Sequence, residues 1–108
     1  MSNKAINWAY DQSLNAPLKK FVLITLADAA DQVGFCWLHY STIAKQCNMG
    51  RRTVIKYVKE LVEDGHLNKF VRCENGHYLS NVYLLNMGEK IPADHPLKGY
   101  DRSGAQDA

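Results

Sequence analysis

Residues 40–65 read YSTIAKQCNMGRRTVIKYVKELVEDG, and this stretch contains two amphipathic segments separated by a short break. Apolar residues recur at helical spacing from Tyr40 to Cys47 and again from Arg51 to Asp64. The break, Asn48-Met49-Gly50, has the composition of a tight turn. Gly65 follows the second segment, where glycine commonly ends a helix. The stretch therefore predicts two short helices joined by a three-residue turn.

The second of these helices has one apolar face and one basic face. At 100° per residue its aliphatic side chains form a single stripe, made of Val54, Val58 and Leu61. The basic side chains lie almost opposite, at Arg52, Lys56 and Lys59. Ile55 falls on the shoulder between the faces, where it can touch a thymine methyl group. We expect the stripe to be buried and the cations to point outward.

The start of the same helix favours an anionic ligand. Gly50 is an acceptable N-cap, and Met49 can pack on Val54 as a hydrophobic staple. Arg51 and Arg52 oppose the positive end of the helix dipole, at a cost of a few tenths of a kcal/mol. Such a placement indicates that an anion is expected there. Arginine also pairs in a fork with guanine O6 and N7.

Upstream of this stretch, the chain predicts a buried helix and a short strand. Pro17 suits the first turn of a helix, and residues 17–31 are apolar on nearly every side, as in a central buried helix. Residues 35–38, FCWL, are typical of a brief strand. Residues 1–15 are polar with two aromatic residues and fit a packed arm, a short strand or a turn.

Downstream, the sequence predicts a β-hairpin. Strand-like segments occupy residues 67–73 and 78–85, and Asn75-Gly76 between them is a strong signal for a tight hairpin turn. The predicted order of elements is therefore helix, strand, helix, turn, helix and hairpin. This is the order of a winged helix-turn-helix, an α+β fold with about three to four helices and a C-terminal β-hairpin wing. A plain hairpin that closes the core is the alternative to a wing. We assign residues 1–87 to this domain and expect residues 88–108 to be a flexible tail or linker to a missing domain.

The charge is concentrated in the middle of the chain. The net charge is only +2, but residues 45–72 carry seven Lys and Arg against three Asp and Glu. Residues 1–44 are neutral and residues 73–108 are acidic, with five acids against three bases. A basic block of this kind suits a polyanion, although a solvated helix face gives the same composition.

These patterns select a set of candidate DNA-binding residues. Ser41, Thr42 and Lys45 are placed to reach phosphates, but Ser41 and Thr42 are equally suited to cap their helix. Lys19 and Lys20 are expected to be solvated. The full candidate set is Ser41, Thr42, Lys45, Arg51, Arg52, Thr53, Ile55, Lys56, Lys59, Lys69, Arg72, Asn75 and His77.

The remaining composition indicates an intracellular, non-membrane protein. Cys36, Cys47 and Cys73 have no metal-type or redox-type spacing, so we expect free thiols, most simply as small core residues in a reducing compartment. No apolar run is long enough to span a bilayer, and the first residues are not a secretory signal. We therefore expect a cytoplasmic location.

Several segments taken together resemble the N-terminal winged helix-turn-helix domain of replication initiator proteins from phages, plasmids and phage satellites. The resemblance covers roughly residues 5–86. The segments that carry it are Lys20-Phe21-Val22-Leu23, Leu26-Ala27-Asp28, Gly34-Phe35-Cys36-Trp37, Ile43-Ala44, Arg51-Arg52-Thr53-Val54, Leu61, Asp64-Gly65-His66-Leu67 and Ser80-Asn81-Val82-Tyr83-Leu84-Leu85. Leu38-His39 departs from the Pro-Ser that relatives often carry, and Gly50 replaces a common Ser or Thr cap.

The resemblance implies sequence-specific binding to double-stranded DNA at origin repeats. We expect the domain to bind as a monomer or as a weak homodimer on DNA. It also implies a further C-terminal domain that engages a replicative helicase or its loader, and a location at the nucleoid or replicon of a bacterial host cell. Relatives cap the helix that follows with the serine of the Pro-Ser pair, which is absent here, and Ser41 can take its place as the cap and phosphate contact.

Three other functions compete with this interpretation. Phosphate-binding glycine loops and the common hydrolase motifs are absent from the sequence, which argues against an enzyme and indicates no cofactor. A metal site drawn from Cys36, His39, Cys73 and His77 lacks zinc-finger spacing, so none is expected. A winged helix for protein contact would present an apolar or acidic face on its third predicted helix. A repressor, or a module that targets a nuclease, would use the same DNA surface.

Overall fold

Four helices and five short strands make up residues 3–97, the part of the chain that the computed structural model describes. The helices are α1 (Asn3–Asp11), α2 (Pro17–Ala29), α3 (Tyr40–Cys47) and α4 (Arg51–Glu63). The strands are β1 (Phe35–Leu38), β2 (Leu67–Phe70), β3 (Cys73–Glu74), β4 (His77–Tyr78) and β5 (Asn81–Leu85). The predicted α+β winged helix-turn-helix architecture is confirmed.

The first helix, α1, lies within residues 1–15, for which the sequence allowed a packed arm, a short strand or a turn. Ala5 and Ala9 are completely buried, one helical turn apart on one face of α1, and α1 packs on α2. Their small side chains let the two helices approach closely. None of the helices within residues 3–97 is long and apolar enough to cross a membrane.

The strands form two small antiparallel sheets. In the larger sheet β5 is central, with β1 on one side and β2 on the other. The smaller sheet pairs β3 with β4 across the Asn75-Gly76 turn, whose two residues both have positive φ, as a tight hairpin turn requires. The predicted hairpin is therefore present, but each of its long strands is divided into two, at residues 71–72 and 79–80.

The central strand β5 is buried on both faces, and its alternating side chains belong to two separate clusters. Tyr83 and Leu85 join the helices in the main core. Val82 and Leu84 point to the opposite face, where they pack with Phe35, Phe70 and Ile91. This alternation is the period of two expected of a strand, and it gives the sheet an inner and an outer apolar face.

The chain after β5 covers the outer face without forming a helix or strand up to residue 97. Ile91 is buried there, and Leu97 packs against the same cluster. His95 Nε2 lies 2.7 Å from Asp31 Oδ2, and the His95 ring lies beside Phe35. The division of the chain at residue 87 stays a prediction, and residues 98–108 of the expected tail lie outside the described residues.

The cysteines are unpaired, but they do not share one environment. Cys36 and Cys47 are buried in the main core, and burial raises the pKa of the Cys36 thiol. Cys73 is exposed on β3, so the expectation that it is a core residue is wrong. The reason is that the hairpin extends away from the core beyond Phe70, and both of its short strands are exposed.

The buried stripe of α4 supports a test of the packing. Replacing Val54, which is completely buried, with Ala should lower the free energy of unfolding by about 1–3 kcal/mol, as expected for a truncated core aliphatic residue. The measurement is urea unfolding followed by circular dichroism. Glu63→Ala, at an exposed site on the same helix, is the control and should change the free energy by less than about 0.5 kcal/mol. Unchanged stability in Val54→Ala would mean that α4 is rotated from the orientation described.

Candidate nucleic-acid interface

The basic face of α4 points away from the protein. Val54, Val58 and Leu61 are completely buried, which confirms the predicted rotation of the helix. The cations on the opposite side, Arg52, Lys56 and Lys59, are exposed. Thr53 and Ile55 are half-buried on the shoulders of the helix. The outward surface of α4 therefore combines three positive charges with one small polar and one aliphatic edge, and the exposed Glu63 lies at its C-terminal end.

The turn between α3 and α4 is held by the backbone. Asn48 ends α3 in the left-handed conformation, at a φ of 55°, and the Met49 N–H donates to the Ala44 carbonyl at 3.0 Å. Gly50 is the N-cap of α4, and no side chain caps that helix. Met49 packs against the core next to the helix start, as the staple predicts. The first amides of α4 thus carry no side-chain cap that a phosphate would have to displace.

The two hydroxyl residues of α3 do not cap their helix. His39 is the N-cap, and the Thr42 N–H donates to its carbonyl, so Ser41 and Thr42 lie inside the first turn. The expectation that either of them caps α3 is wrong, because the helix begins two residues earlier than a Ser41 cap requires. Ser41 and Lys45 are exposed and Thr42 is half-buried. Their contacts with DNA stay a prediction.

Three elements meet at one tyrosine. Tyr40 is the first residue of α3 and is only 9% exposed. The Lys69 ammonium, from β2, donates to the Tyr40 hydroxyl at 3.2 Å. The Arg51 guanidinium, at the start of α4, lies 5.5 Å from the centroid of the same ring, and the Lys69 nitrogen lies 6.0 Å from it. The structure therefore brings two of the candidate residues together around Tyr40, which the sequence did not single out.

The wing is braced by its own polar side chains. Arg72 donates from Nε to the Ser80 carbonyl at 2.8 Å and from Nη2 to the Ser80 hydroxyl at 2.7 Å. These bonds span the point at which both long strands are interrupted. Asn75 and His77, in contrast, are exposed at the hairpin tip. Arg72 thus has a bracing role that its charge alone did not indicate, and its contact with DNA stays a prediction.

A buried asparagine fixes the base of the wing. The Tyr78 hydroxyl on β4 donates to Asn81 Oδ1, and Asn81 Nδ2 donates to the Tyr83 hydroxyl at 2.9 Å. Asn81 is completely buried, so its amide needs these partners. Burial raises the pKa of Tyr83, which therefore stays a neutral hydrogen-bonding group. The sequence predicted a strand at Tyr78 and Asn81, and Asn81 also lies in a segment of the family resemblance, but no hydrogen bond was predicted for either.

Lys19 is not solvated, contrary to expectation. Its side chain is buried between α2 and α4, and its ammonium bonds to Glu60 at 3.1 Å and to Asp64 at 3.3 Å. The expectation failed because its stem packs against the helix interface, where the sequence alone shows no partner. Lys20 donates to the Tyr10 carbonyl at 2.6 Å. Two acids of the α4 segment are thereby turned toward α2 and away from the outward basic face.

The structure does not assemble the metal set that the sequence allowed. Cys36 lies in the core, whereas Cys73 and His77 lie on the exposed wing. Among residues 3–97, no three His, Cys, Asp or Glu side chains form a group that could hold a metal ion.

The comparison with known families agrees with this geometry. Residues 17–67, from the start of α2 into β2, match a family model described as Helix-turn-helix domain. No curated protein and no solved structure matches the chain. Together with the β-hairpin that follows, the match supports a DNA-binding domain with the winged helix-turn-helix fold.

The Lys19 contacts predict a dependence of stability on alkaline pH. The Glu60 hydrogen bond, chiefly, raises the pKa of Lys19 above 10.5, with Asp64 adding to it. A raised lysine pKa contributes stability that is complete below pH 10.5 and is lost as the pH rises through the folded-state value. The free energy of unfolding should therefore fall more steeply above pH 10.5 in the wild type than in Lys19→Met.

The control for this titration is Lys20→Met, whose lysine contacts a backbone carbonyl and no carboxylate in the described contacts. It should keep the wild-type slope. The raised pKa of the buried Tyr83 also makes stability fall at alkaline pH, so the relevant quantity is the difference between variants. Equal slopes in wild type and Lys19→Met would show that the Lys19 contacts contribute nothing to stability.

Proposed function

We propose that this domain binds double-stranded DNA sequence-specifically and recognises repeats at an origin of replication. In this proposal α4 enters the major groove, and the β3–β4 wing lies on the backbone or in the minor groove. The observation that carries the DNA-binding part is the outward face of α4, where Arg52, Lys56 and Lys59 are exposed opposite a completely buried stripe. We further propose that the domain has no catalytic activity of its own.

The candidate contacts divide into two kinds. Arg52 and Ile55 lie where a recognition helix meets base edges, and they are proposed to read guanine and a thymine methyl group. The lysines of α3 and α4, with Lys69 and the wing tip, are proposed to contact phosphates, which position the helix without reading sequence. About four to six phosphate contacts correspond to a log–log salt slope of roughly −4 to −5.

The origin proposal rests on the resemblance to replication initiators. Two of its segments now have structural places: Arg51-Arg52-Thr53-Val54 starts α4, and Ser80-Asn81-Val82-Tyr83 forms the base of the wing. The first segment therefore belongs to the proposed DNA surface, and the second connects the wing to the core, where Val82 and Tyr83 are completely buried. We propose accordingly that a second copy joins the first on repeated sites, and that a domain beyond this chain engages a replicative helicase or loader.

A transcriptional repressor, or the targeting module of an origin-directed nuclease, would bind DNA through the same surface. A winged helix that binds only proteins is disfavoured, because α4 presents cations where such a module would present apolar or acidic side chains. The distinction among DNA-binding outputs lies in the location of the bound sites.

Selection of bound fragments tests the output. Sheared DNA from the source replicon is incubated with the purified chain, and the retained fragments are sequenced. We expect enrichment of repeats near an origin. Enrichment at promoters would instead support repression, and uniform recovery of all fragments would contradict sequence-specific binding.

Arg52→Ala should both weaken binding and relax the base preference at one position. Loss of a forked contact to guanine removes about 1–3 kcal/mol of discrimination at that base pair. The measurement is the affinity for a library in which each position of a selected site is randomised. Lys90→Ala removes the same charge from an exposed position after β5 and should leave the preference unchanged. A loss for Arg52→Ala that is equal at every base would assign Arg52 to a phosphate.

A further inference from the structure

We propose that Tyr40 is a positioning residue that holds Arg51 and Lys69 together as a clamp for one DNA phosphate. The clamp would join the start of α4 to the strand that leads into the wing. This inference rests on the proposed DNA binding but not on origin recognition, because a phosphate clamp acts on any sequence.

Tyr40 contacts the two cations through two different parts of its side chain, the hydroxyl and the ring. Its hydroxyl accepts a hydrogen bond from the Lys69 ammonium at 3.2 Å. The Arg51 guanidinium lies 5.5 Å from the centroid of the Tyr40 ring, which is within the range of a cation–π contact. Tyr40 itself is fixed, since it is 9% exposed and packs in the main core as the first residue of α3. A fixed aromatic ring therefore orients two cations that come from different elements.

The charges at this point indicate an anion as the missing partner. Arg51 and Lys69 lie near the same ring, and the ion pairs found within residues 3–97 include neither of them. Lys19 shows the contrasting arrangement, because the fold surrounds that cation with two carboxylates. Two cations gathered without an acid repel each other, and a phosphate between them would relieve the repulsion.

Holding the two side chains in advance also favours binding. Lys and Arg side chains have many rotamers, and fixing them on a phosphate costs conformational entropy. A lysine already bonded to a buried tyrosine loses less of this freedom when DNA arrives. The role of Tyr40 is thus to act through Lys69 and Arg51 and not to touch the DNA itself.

Tyr40→Phe tests the inference, because it removes the hydroxyl that holds Lys69 and keeps the ring beneath Arg51. The probe is a duplex of random sequence, with affinities measured from 50 to 200 mM salt. We expect Tyr40→Phe to bind about twofold to tenfold more weakly than wild type at low salt, the range for one hydrogen bond. Lys69→Met should weaken binding further and reduce the salt slope by about 1.

The double variant decides whether Tyr40 acts through Lys69. If it does, adding Tyr40→Phe to Lys69→Met should cause no additional loss. Tyr57→Phe, which removes a tyrosine hydroxyl from α4 next to Lys56, is the matched control and should bind like wild type. Thermal unfolding of each variant separates lost binding from lost folding.

Two results would overturn the inference while leaving the proposed function intact. One is wild-type affinity for Tyr40→Phe, and the other is additive losses in the double variant. Wild-type protein that fails to bind random duplex even at 50 mM salt would overturn both the clamp and the proposed DNA binding. Binding without any preference for origin fragments would overturn only the proposed origin recognition.

Discussion

The burial of one aliphatic stripe on α4 controls the geometry of the whole candidate interface. Val54, Val58 and Leu61 are completely buried, so the helix has a single allowed rotation about its axis. A rotation of one residue, 100°, would carry Ile55 toward the core and displace Val54 from it. The positions of Arg52, Lys56 and Lys59 are consequences of this packing. The hydrophobic effect, which carries no information about DNA, thus decides where the cations point.

The same helix carries acids, and the fold separates them from its outward cations. Glu60 and Asp64 turn toward α2, where both contact Lys19. Each acid is partly exposed, so the benefit of the pair to stability is screened by water. Its larger consequence is spatial, because it keeps two negative charges on the α2 side of α4. A helix of mixed composition thereby presents mainly positive charge outward, with the exposed Glu63 at its C-terminal end.

The sequence predicted those elements whose formation depends on residues close to one another along the chain. The α3–turn–α4 unit followed from helical periodicity and from Asn48-Met49-Gly50, and the hairpin turn followed from Asn75-Gly76. The helix α1 was not predicted, although its apolar residues recur at helical spacing and pack in or against the main core, at Ala5, Ile6, Trp8 and Ala9. The ion pairs of Lys19 join residues more than 40 positions apart, and no local pattern reports such a contact. Sequence reasoning predicted the buried stripe and the exposed cations of α4 correctly, and it missed the contacts of the surrounding side chains.

Those supporting side chains connect parts of the surface that the backbone leaves apart. The wing is a separate two-stranded sheet, linked to the larger sheet by residues 71–72 and 79–80. Arg72 with Ser80 closes this link on one side, and Asn81 connects Tyr78 to the buried Tyr83. Tyr40 then connects β2 to the start of α4 through Lys69 and Arg51. A hairpin with two exposed two-residue strands has little core of its own, so its angle to α4 depends on these polar contacts. The angle between the wing and α4 is therefore set by hydrogen bonds at the base of the wing, whereas the orientation of α4 alone is set by its core.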